Sequence, residues 1–259
     1  MSVYKRKRMR LFKTLLMILT LMLIISCGQG QKNNKSLGEL GGDTKTLPSN
    51  EIKEKQKHFF DTTFVVNKQT FKLFMNDINE DEVTLTFIRN SKKIEIDTLK
   101  SVGLGGFEFT DFNKDGNSDI FFTYMGNNSS YELYLFDDRA NVFRVLEDFD
   151  RFAEAIQLKN NPKYYYSYQR AGCADMDWIS DLFYIDNFKT IQVGHIYGKG
   201  CDFEVKENPQ VISIYKVLAN NEENIQLIKK LPYIKNIPKF SDKWIFIEKY
   251  WNNNYGEFN

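Results

Sequence analysis

The sequence predicts an all-β fold built from antiparallel hairpins, followed by one amphipathic helix at the C-terminus. From residue 64 onward the chain consists of apolar or alternating runs of strand length, and short polar turns separate these runs. Aromatic residues make up 15% of the chain, and such side chains pack well on pleated sheets. Regular up-and-down hairpins favour a small β-propeller of about four or five blades, and a β-sandwich or a barrel is the alternative.

Successive pairs of strand-like runs flank turns that are rich in asparagine or aspartate, which is the sequence pattern of β-hairpins. The predicted pairs are 64–66 with 70–75, 83–88 with 93–97, 120–125 with 131–136, 155–158 with 164–169, 178–185 with 190–197 and 210–218 with 224–231, and 141–146 adds a further strand.

The first 26 residues have the order of a secretory signal. Basic residues between Lys5 and Lys13 precede an apolar run at 11–25, and Ile24 lies three positions before Cys27. This order resembles a bacterial lipoprotein signal, which implies that residues 1–26 are removed and that Cys27 carries the lipid. The alternative is an uncleaved membrane anchor, although the apolar run is short for a stable span.

Either alternative predicts a chain that is tethered to a membrane on its non-cytoplasmic side, and the lipoprotein resemblance implies the bacterial cell envelope. Residues 27–50 lack apolar periodicity and are predicted to form a flexible tether ahead of a β-domain at 51–240. Removal of residues 1–26 leaves 29 basic against 34 acidic residues, a net charge of about −5 rather than +1. No dense basic patch remains, so nucleic acid is not a predicted partner.

Side-chain oxygens recur at alternate positions of one loop. The predicted ligands are Asp111, Asn113, Asp115, Asn117 and Asp119, with Gly116 at the sixth position. This spacing suits Ca²⁺, which takes about six to eight oxygen ligands, and the glycine permits a sharp turn. Phe occupies the position of the last EF-hand ligand and a strand-like run follows, so we expect the loop to join two strands. The alternative is an Asx-rich turn without an ion, but such close carboxylates would repel one another without a cation.

The two remaining cysteines, Cys173 and Cys201, are predicted to form a disulfide, because an even number of cysteines suits an oxidising compartment. Two free thiols or a metal pair are the alternatives, but no neighbouring histidine or CxxC spacing supports a metal site. Farther along, Ser241 and Asp242 can cap a helix over 241–259, and aromatic residues recur there at spacings of three and four. We expect that stripe to dock on the β-domain.

No catalytic motif is visible in the sequence. The two histidines, His58 and His195, are far apart, and no Ser/His/Asp order, HExxH, GxSxG or P-loop is present. We therefore predict that the protein is not an enzyme.

The segment 103–150 resembles the calcium-loop β-propeller lipoproteins related to the immunity proteins of bacterial killing type IV secretion systems. The resemblance lies in D-x-N-x-D-G-x-x-D at 111–119 and in the turn and strand Gly126-Asn127-Asn128-Ser129-Ser130-Tyr131 that follow. The same loop is similar to that of the broader FG-GAP repeat class. The resemblance implies a periplasmic lipoprotein that inhibits a lysozyme-type peptidoglycan hydrolase, with Ser129, Ser130 and Tyr131 at the contact.

Two hypotheses follow. The first is a non-enzymatic, calcium-stabilised binding protein whose partner is an envelope protein such as a peptidoglycan hydrolase. The second is a calcium-dependent module that binds or processes extracellular glycan, and a structural envelope lipoprotein without a discrete ligand is a plainer possibility. In the first hypothesis the calcium loop has a structural role, because it fixes the geometry of the following hairpin, which contacts the partner.

Overall fold

The structure is a computed structural model that describes residues 58–77, 79–201 and 210–258. The predicted signal at 1–26, the lipidation site Cys27 and the tether at 27–50 lie outside the described residues. Among those described, no helix is long and apolar enough to cross a membrane.

Antiparallel strands form three sheets, which confirms the all-β prediction. The first sheet has the order β1 (His58–Val66), β2 (Gln69–Asp77), β3 (Glu82–Arg89) and β4 (Lys92–Lys100). The second has the order β5 (Leu104–Thr110), β6 (Asp119–Tyr124), β7 (Ser130–Asp137) and β8 (Val142–Val145).

The third sheet contains seven strands. They are β9 (Ile156–Gln157), β10 (Tyr164–Tyr166), β11 (Gln169–Gly172), β12 (Asp177–Asp186), β13 (Lys189–Lys199), β14 (Val211–Leu218) and β15 (Asn221–Pro232). Their spatial order is β15-β14-β13-β12-β10-β9, and β11 also pairs with β12. The helical elements are α1 (Tyr233–Asn236), α2 (Asp242–Asn254) and 3₁₀ turns at Phe149–Arg151, Cys173–Asp175 and Tyr255–Phe258.

Two-residue turns close several hairpins, and both residues of each turn have positive φ. These pairs are Asn67-Lys68, Asn90-Ser91, Asn187-Phe188 and Ala219-Asn220. Positive φ at both central positions is the type I′ geometry, whose twist matches that of the flanking strands. Asparagine tolerates this left-handed backbone better than most residues, which explains why it marks these turns in the sequence.

Alternating side chains of the second sheet enter two different cores. Phe122, Tyr134 and Phe136 pack with Phe71 and Phe87 of the first sheet. The intervening positions face the third sheet, where Leu133 and Leu135 join a cluster with Phe149, Phe152 and Phe183. The strand period of two thus places the second sheet between the first and the third.

The C-terminal helix covers the other face of the third sheet. Trp251 is fully buried there with Trp178, Ile196 and Ile214. Its Nε1–H donates to the Ser180 hydroxyl at 2.8 Å. The predicted docking of the helix is confirmed. The predicted side-chain cap at Ser241 is wrong, because Ser241 makes no capping bond. The Asp242 carboxylate instead accepts the Lys239 N–H at 3.1 Å.

The three sheets do not form the predicted four or five blades. Residues 58–145 form two four-stranded meanders, but β14 pairs directly with β13, so the last predicted hairpins join one seven-stranded sheet. The described residues therefore form a stack of three sheets with a terminal helix, and no closed propeller or barrel is present among them.

Candidate functional site

The loop between β5 and β6 folds its carboxylates onto its own backbone. Thr110 and Asp119 are paired residues, so the loop closes directly between two strands, as the sequence predicts. Asp111 Oδ1 accepts the Asp115 N–H at 3.0 Å, and Asp111 Oδ2 accepts the Gly116 N–H at 3.1 Å. Asp115 Oδ1 in turn accepts the Asn117 N–H at 2.8 Å. Gly116 has φ +93°, a conformation that glycine adopts without steric cost.

Asp119 connects this loop to the hairpin formed by β6 and β7. Its side chain is fully buried, and its two oxygens accept the N–H groups of Phe112 at 3.0 Å and of Phe136 at 2.9 Å. The pKa of Asp119 is raised to about 7, chiefly by burial and also by the nearby Asp115 carboxylate, while the backbone hydrogen bonds oppose the shift. A buried carboxylate in this setting is stabilised by a proton or by a cation.

The donor chemistry of the loop fits Ca²⁺. The five predicted ligand side chains all offer oxygen, and a carboxylate oxygen that accepts one N–H keeps a second lone pair. The described residues contain no group of three or more His, Cys, Asp and Glu side chains arranged to hold a metal. Amide oxygens of Asn113 and Asn117 and backbone carbonyls would therefore have to complete the coordination. Calcium binding stays a prediction.

The predicted contact residues Ser129, Ser130 and Tyr131 lie where the β6–β7 turn enters β7. Met125 of the turn is 73% exposed, and residues 126–128 are also exposed. Ser129 and Ser130 are half-buried. Tyr131 packs against Phe121 with ring centroids 4.9 Å apart, so part of its ring belongs to the core between the second and third sheets.

The tip of this hairpin rests on the third sheet. Asn128 donates its side-chain N–H to the Arg170 carbonyl at 3.2 Å. A cavity of about 130 Å³ lies between the two segments and is lined by Gly126–Ser129, Ala153, Glu154 and Tyr168–Arg170. The hairpin turn is therefore supported from one side and open to solvent at its tip.

A polar pocket on the third sheet was not predicted. Asp181 of β12 and His195 of β13 are paired residues, and His195 Nδ1 lies 2.7 Å from Asp181 Oδ1. The same oxygen accepts the Gln192 amide N–H at 2.8 Å. Arg151 donates to Gln192 Oε1 at 2.6 Å and to Glu222 Oε1 at 2.8 Å. These groups surround a cavity of about 240 Å³ whose apolar wall is Ile179 and Ile225.

A β-bulge aims these side chains at the same face. The pairing of β12 with β13 shifts by one residue between Leu182–Gly194 and Phe183–Gln192, which leaves Val193 as the extra residue. An unbroken register from the Asn187-Phe188 turn would set Asp181 opposite Gly194 instead of His195. In the sequence His195 is only an isolated histidine, because a single inserted residue in a strand has no clear sequence signal.

The predicted disulfide between Cys173 and Cys201 is present, with Cα atoms 5.8 Å apart. Cys173 follows β11 and Cys201 follows β13, and both strands end beside the start of β12, so the bond links two neighbouring strand ends of the third sheet.

The chain matches no protein-family model and no curated protein. Among solved structures, it is similar to a Xanthomonas type IV secretion system related protein, at 12% identity and a TM-score of 0.41. That similarity covers 68% of this chain and 95% of the other, and it is too distant to support an argument about fold or function.

Proposed function

We propose that this chain is a lipid-anchored, calcium-stabilised binding protein of the bacterial cell envelope that acts without catalysis. The observation that supports it most directly is the buried Asp119 carboxylate, which bonds both the loop and β7. Occupation of the loop by Ca²⁺ would therefore fix the β6–β7 hairpin. The signal-like N-terminus supports the lipid anchor, and the Cys173–Cys201 disulfide supports an oxidising compartment.

The proposed contact with a partner is the open tip of this hairpin, from Met125 to Tyr131. Met125 offers exposed apolar area, and Asn127 and Asn128 offer amides for hydrogen bonds at its side. A lysozyme-type peptidoglycan hydrolase is the partner that we propose, on the strength of the sequence resemblance in 103–150. Because Tyr131 is half-buried, its hydroxyl and ring edge would reach the partner while its ring stays on Phe121.

An inhibition assay with the purified full chain tests this proposal. The chain should slow at least one of a panel of peptidoglycan hydrolases. Met125→Arg should weaken inhibition by about tenfold or more, because it adds a charge at the contact, and tenfold corresponds to about 1.4 kcal/mol. Tyr131→Phe keeps the packing on Phe121 and removes only the hydroxyl, so a loss of inhibition would assign that hydroxyl to the contact.

The matched control is Val65→Arg, which places the same charge on an equally open position of β1, where the side chain is 64% exposed. It should inhibit like the unaltered chain. The proposal fails if no hydrolase is slowed, or if Met125→Arg and Val65→Arg inhibit equally.

The polar pocket supports a second candidate, a glycan-binding module. Arg151, Asp181, Gln192 and His195 offer planar hydrogen-bonding groups beside an apolar wall, which is a suitable lining for a saccharide. Calorimetric titration with N-acetylglucosamine oligosaccharides should then show binding that EDTA weakens and that His195→Ala abolishes. Met125→Arg should leave it unchanged. If titration with the saccharide gives identical heat changes for the unaltered chain and for His195→Ala, this candidate is excluded.

A further inference from the structure

The last strand of the third sheet has an open edge. Strand β15 pairs with β14, and within the described residues no other strand lies beside it. Nearly all of its residues are exposed, including three apolar ones: Ile225 at 41%, Leu227 at 47% and Ile228 at 40%. An edge of this length presents unpaired backbone N–H and C=O groups, and it favours pairing with another strand.

The charges along β15 are self-complementary. Its first half carries Glu222 and Glu223, its second half carries Lys229 and Lys230, and the apolar residues lie between them. Gln226 is equidistant from the two charged pairs. If two such strands run antiparallel about Gln226, the Glu222-Glu223 end of each copy faces the Lys229-Lys230 end of the other.

We propose that β15 is the interface through which a second copy of this chain pairs, antiparallel and with a two-fold axis at Gln226. The pairing joins two seven-stranded sheets into one. It places Ile225 of each copy opposite Leu227 of the other and covers apolar area that is exposed in the single chain. An interface of this kind is isologous, because the same surface contributes on both sides.

The centre of this pairing lies where β15 is regular. Ile225, Gln226 and Leu227 pair in unbroken register with Val217, Lys216 and Tyr215 of β14. The register shifts lie outside this centre, beyond Leu227 and before Ile225. Bulges limit how far an added strand can extend, so the centre supplies the backbone bonds and the flanking charges set direction and register.

The charge pattern selects a second copy over a parallel or shifted arrangement. Parallel pairing in register would set Glu222 and Glu223 against themselves and Lys229 and Lys230 against themselves, which is unfavourable. Arg151 donates to Oε1 of Glu222 within the chain. A carboxylate has a second acceptor oxygen, so Glu222 can bond Arg151 and a lysine of the second copy together.

Charge reversal in the full-length chain tests the proposal. Lys229→Glu with Lys230→Glu, or Glu222→Lys with Glu223→Lys, should each lower dimer affinity by at least about tenfold in analytical ultracentrifugation. An equimolar mixture of the two variants should regain the dimer, because opposite charges then face each other in the mixed pair. Circular dichroism of each variant verifies that it is folded.

Disulfide trapping tests the register independently of affinity. Directly opposite residues in an antiparallel pair have Cα atoms about 4.5–5.5 Å apart, which a disulfide can bridge. Gln226→Cys should therefore form a covalent dimer under oxidising conditions. Thr63→Cys, on the exposed edge strand β1, is the matched control and should remain largely uncoupled.

The proposal is overturned if the mixed variants stay monomeric, or if Gln226→Cys couples no better than Thr63→Cys. Coupling of Gln226→Cys to a different protein in the cell envelope, in place of a second copy, also overturns it. None of these outcomes depends on hydrolase inhibition, so they leave the proposed function to its own test.

Discussion

At the scale of single residues, the buried acids carry most of the testable chemistry. Asp119 is buried against the backbone of the loop and of β7, while Asp111 and Asp115 hold the turn around Gly116. Their positions could be predicted because Asp, Asn and Gly have a fixed spacing in the sequence. Which oxygens bond the backbone could not be predicted, because that depends on β7 lying beside the loop.

Asp115→Ala should remove the stabilisation that Ca²⁺ gives to this fold. A site at 100-fold excess of free Ca²⁺ over its Kd adds about 2.7 kcal/mol to the free energy of unfolding. Thermal melts of the unaltered chain should therefore shift upward with Ca²⁺ and downward with EDTA, and the variant should show neither shift. Asp138→Ala, in the exposed β7–β8 turn, is the control and should keep both. If Ca²⁺ and EDTA shift the melting temperatures of the two variants equally, the loop is a turn that binds no ion.

Glu132 should make the fold less stable as pH rises. Burial raises the pKa of Glu132, and the Asp97 carboxylate nearby raises it further. The folded state therefore holds this proton more tightly than the unfolded chain, whose glutamate has a pKa near 4.5. The stabilising contribution is complete below that value and is lost as pH rises through the raised folded pKa.

Urea unfolding of Glu132→Gln checks this sign. The variant cannot ionise, so its stability should rise relative to the unaltered chain as pH increases above about 4.5, by about 1.4 kcal/mol for each pH unit of pKa difference. Glu108→Gln, an exposed position on β5, is the control. A difference in stability between Glu132→Gln and the unaltered chain that does not change with pH would contradict the prediction.

At the scale of elements, the hairpins followed from the sequence wherever a turn residue marked them. Asn67, Asn90 and Asn187 each begin a two-residue turn in the left-handed region. Strands β5 and β11 were not among the predicted pairs. Strand β5 contains Gly105 and Gly106, which weaken any strand signal, and its pairing with β6 depends on the loop closing between them.

The polar pocket could not be predicted at this scale either. Both Asp181 and His195 are visible in the sequence, but their pairing depends on the bulge at Val193. In the register set by the Asn187-Phe188 turn, His195 would face the helix without that bulge, since successive side chains of a strand alternate between faces. Arg151 reaches the pocket from a 3₁₀ turn in a different part of the chain.

The disulfide should stabilise the third sheet by restricting the unfolded chain. Cys173 and Cys201 are 28 residues apart, and a loop of that size corresponds to about 3–4 kcal/mol in the chain-entropy model. Cys173→Ser with Cys201→Ser should lower the urea midpoint accordingly, and dithiothreitol should then have no further effect on the variant. If dithiothreitol lowered the urea midpoint of the double variant as much as that of the unaltered chain, its effect would come from another group.

At the scale of the whole molecule, strand count did not determine how the sheets associate. Hairpins of similar length can form separate blades or join one sheet, and local sequence does not distinguish the two. Here β13 and β14 pair across the segment 202–209, and α2 covers the outer face of the resulting sheet. The aromatic stripe of the helix predicted that it would dock, but the stripe did not show which sheet would receive it.

The layered arrangement predicts that the described residues unfold in one transition. The second sheet gives one face to the core with the first sheet and the other face to the core with the third. Removing one core should therefore destabilise all three sheets. Phe143 lies fully buried between the first and second sheets, so Phe143→Ala should cost about 3–5 kcal/mol.

Tryptophan fluorescence tests that coupling, because all three tryptophans of the chain lie on the third sheet or on α2. Far-UV circular dichroism follows every sheet. If there is one cooperative transition, Phe143→Ala should lower the urea midpoint by the same amount with both probes. This result would be informative because Phe143 lies in the core between the first and second sheets, whereas the tryptophans lie outside that core. Val65→Ala, at an exposed position of β1, should change neither midpoint appreciably. A fluorescence midpoint that stays fixed while the dichroism midpoint falls would mean that the third sheet and its helix fold as an independent unit.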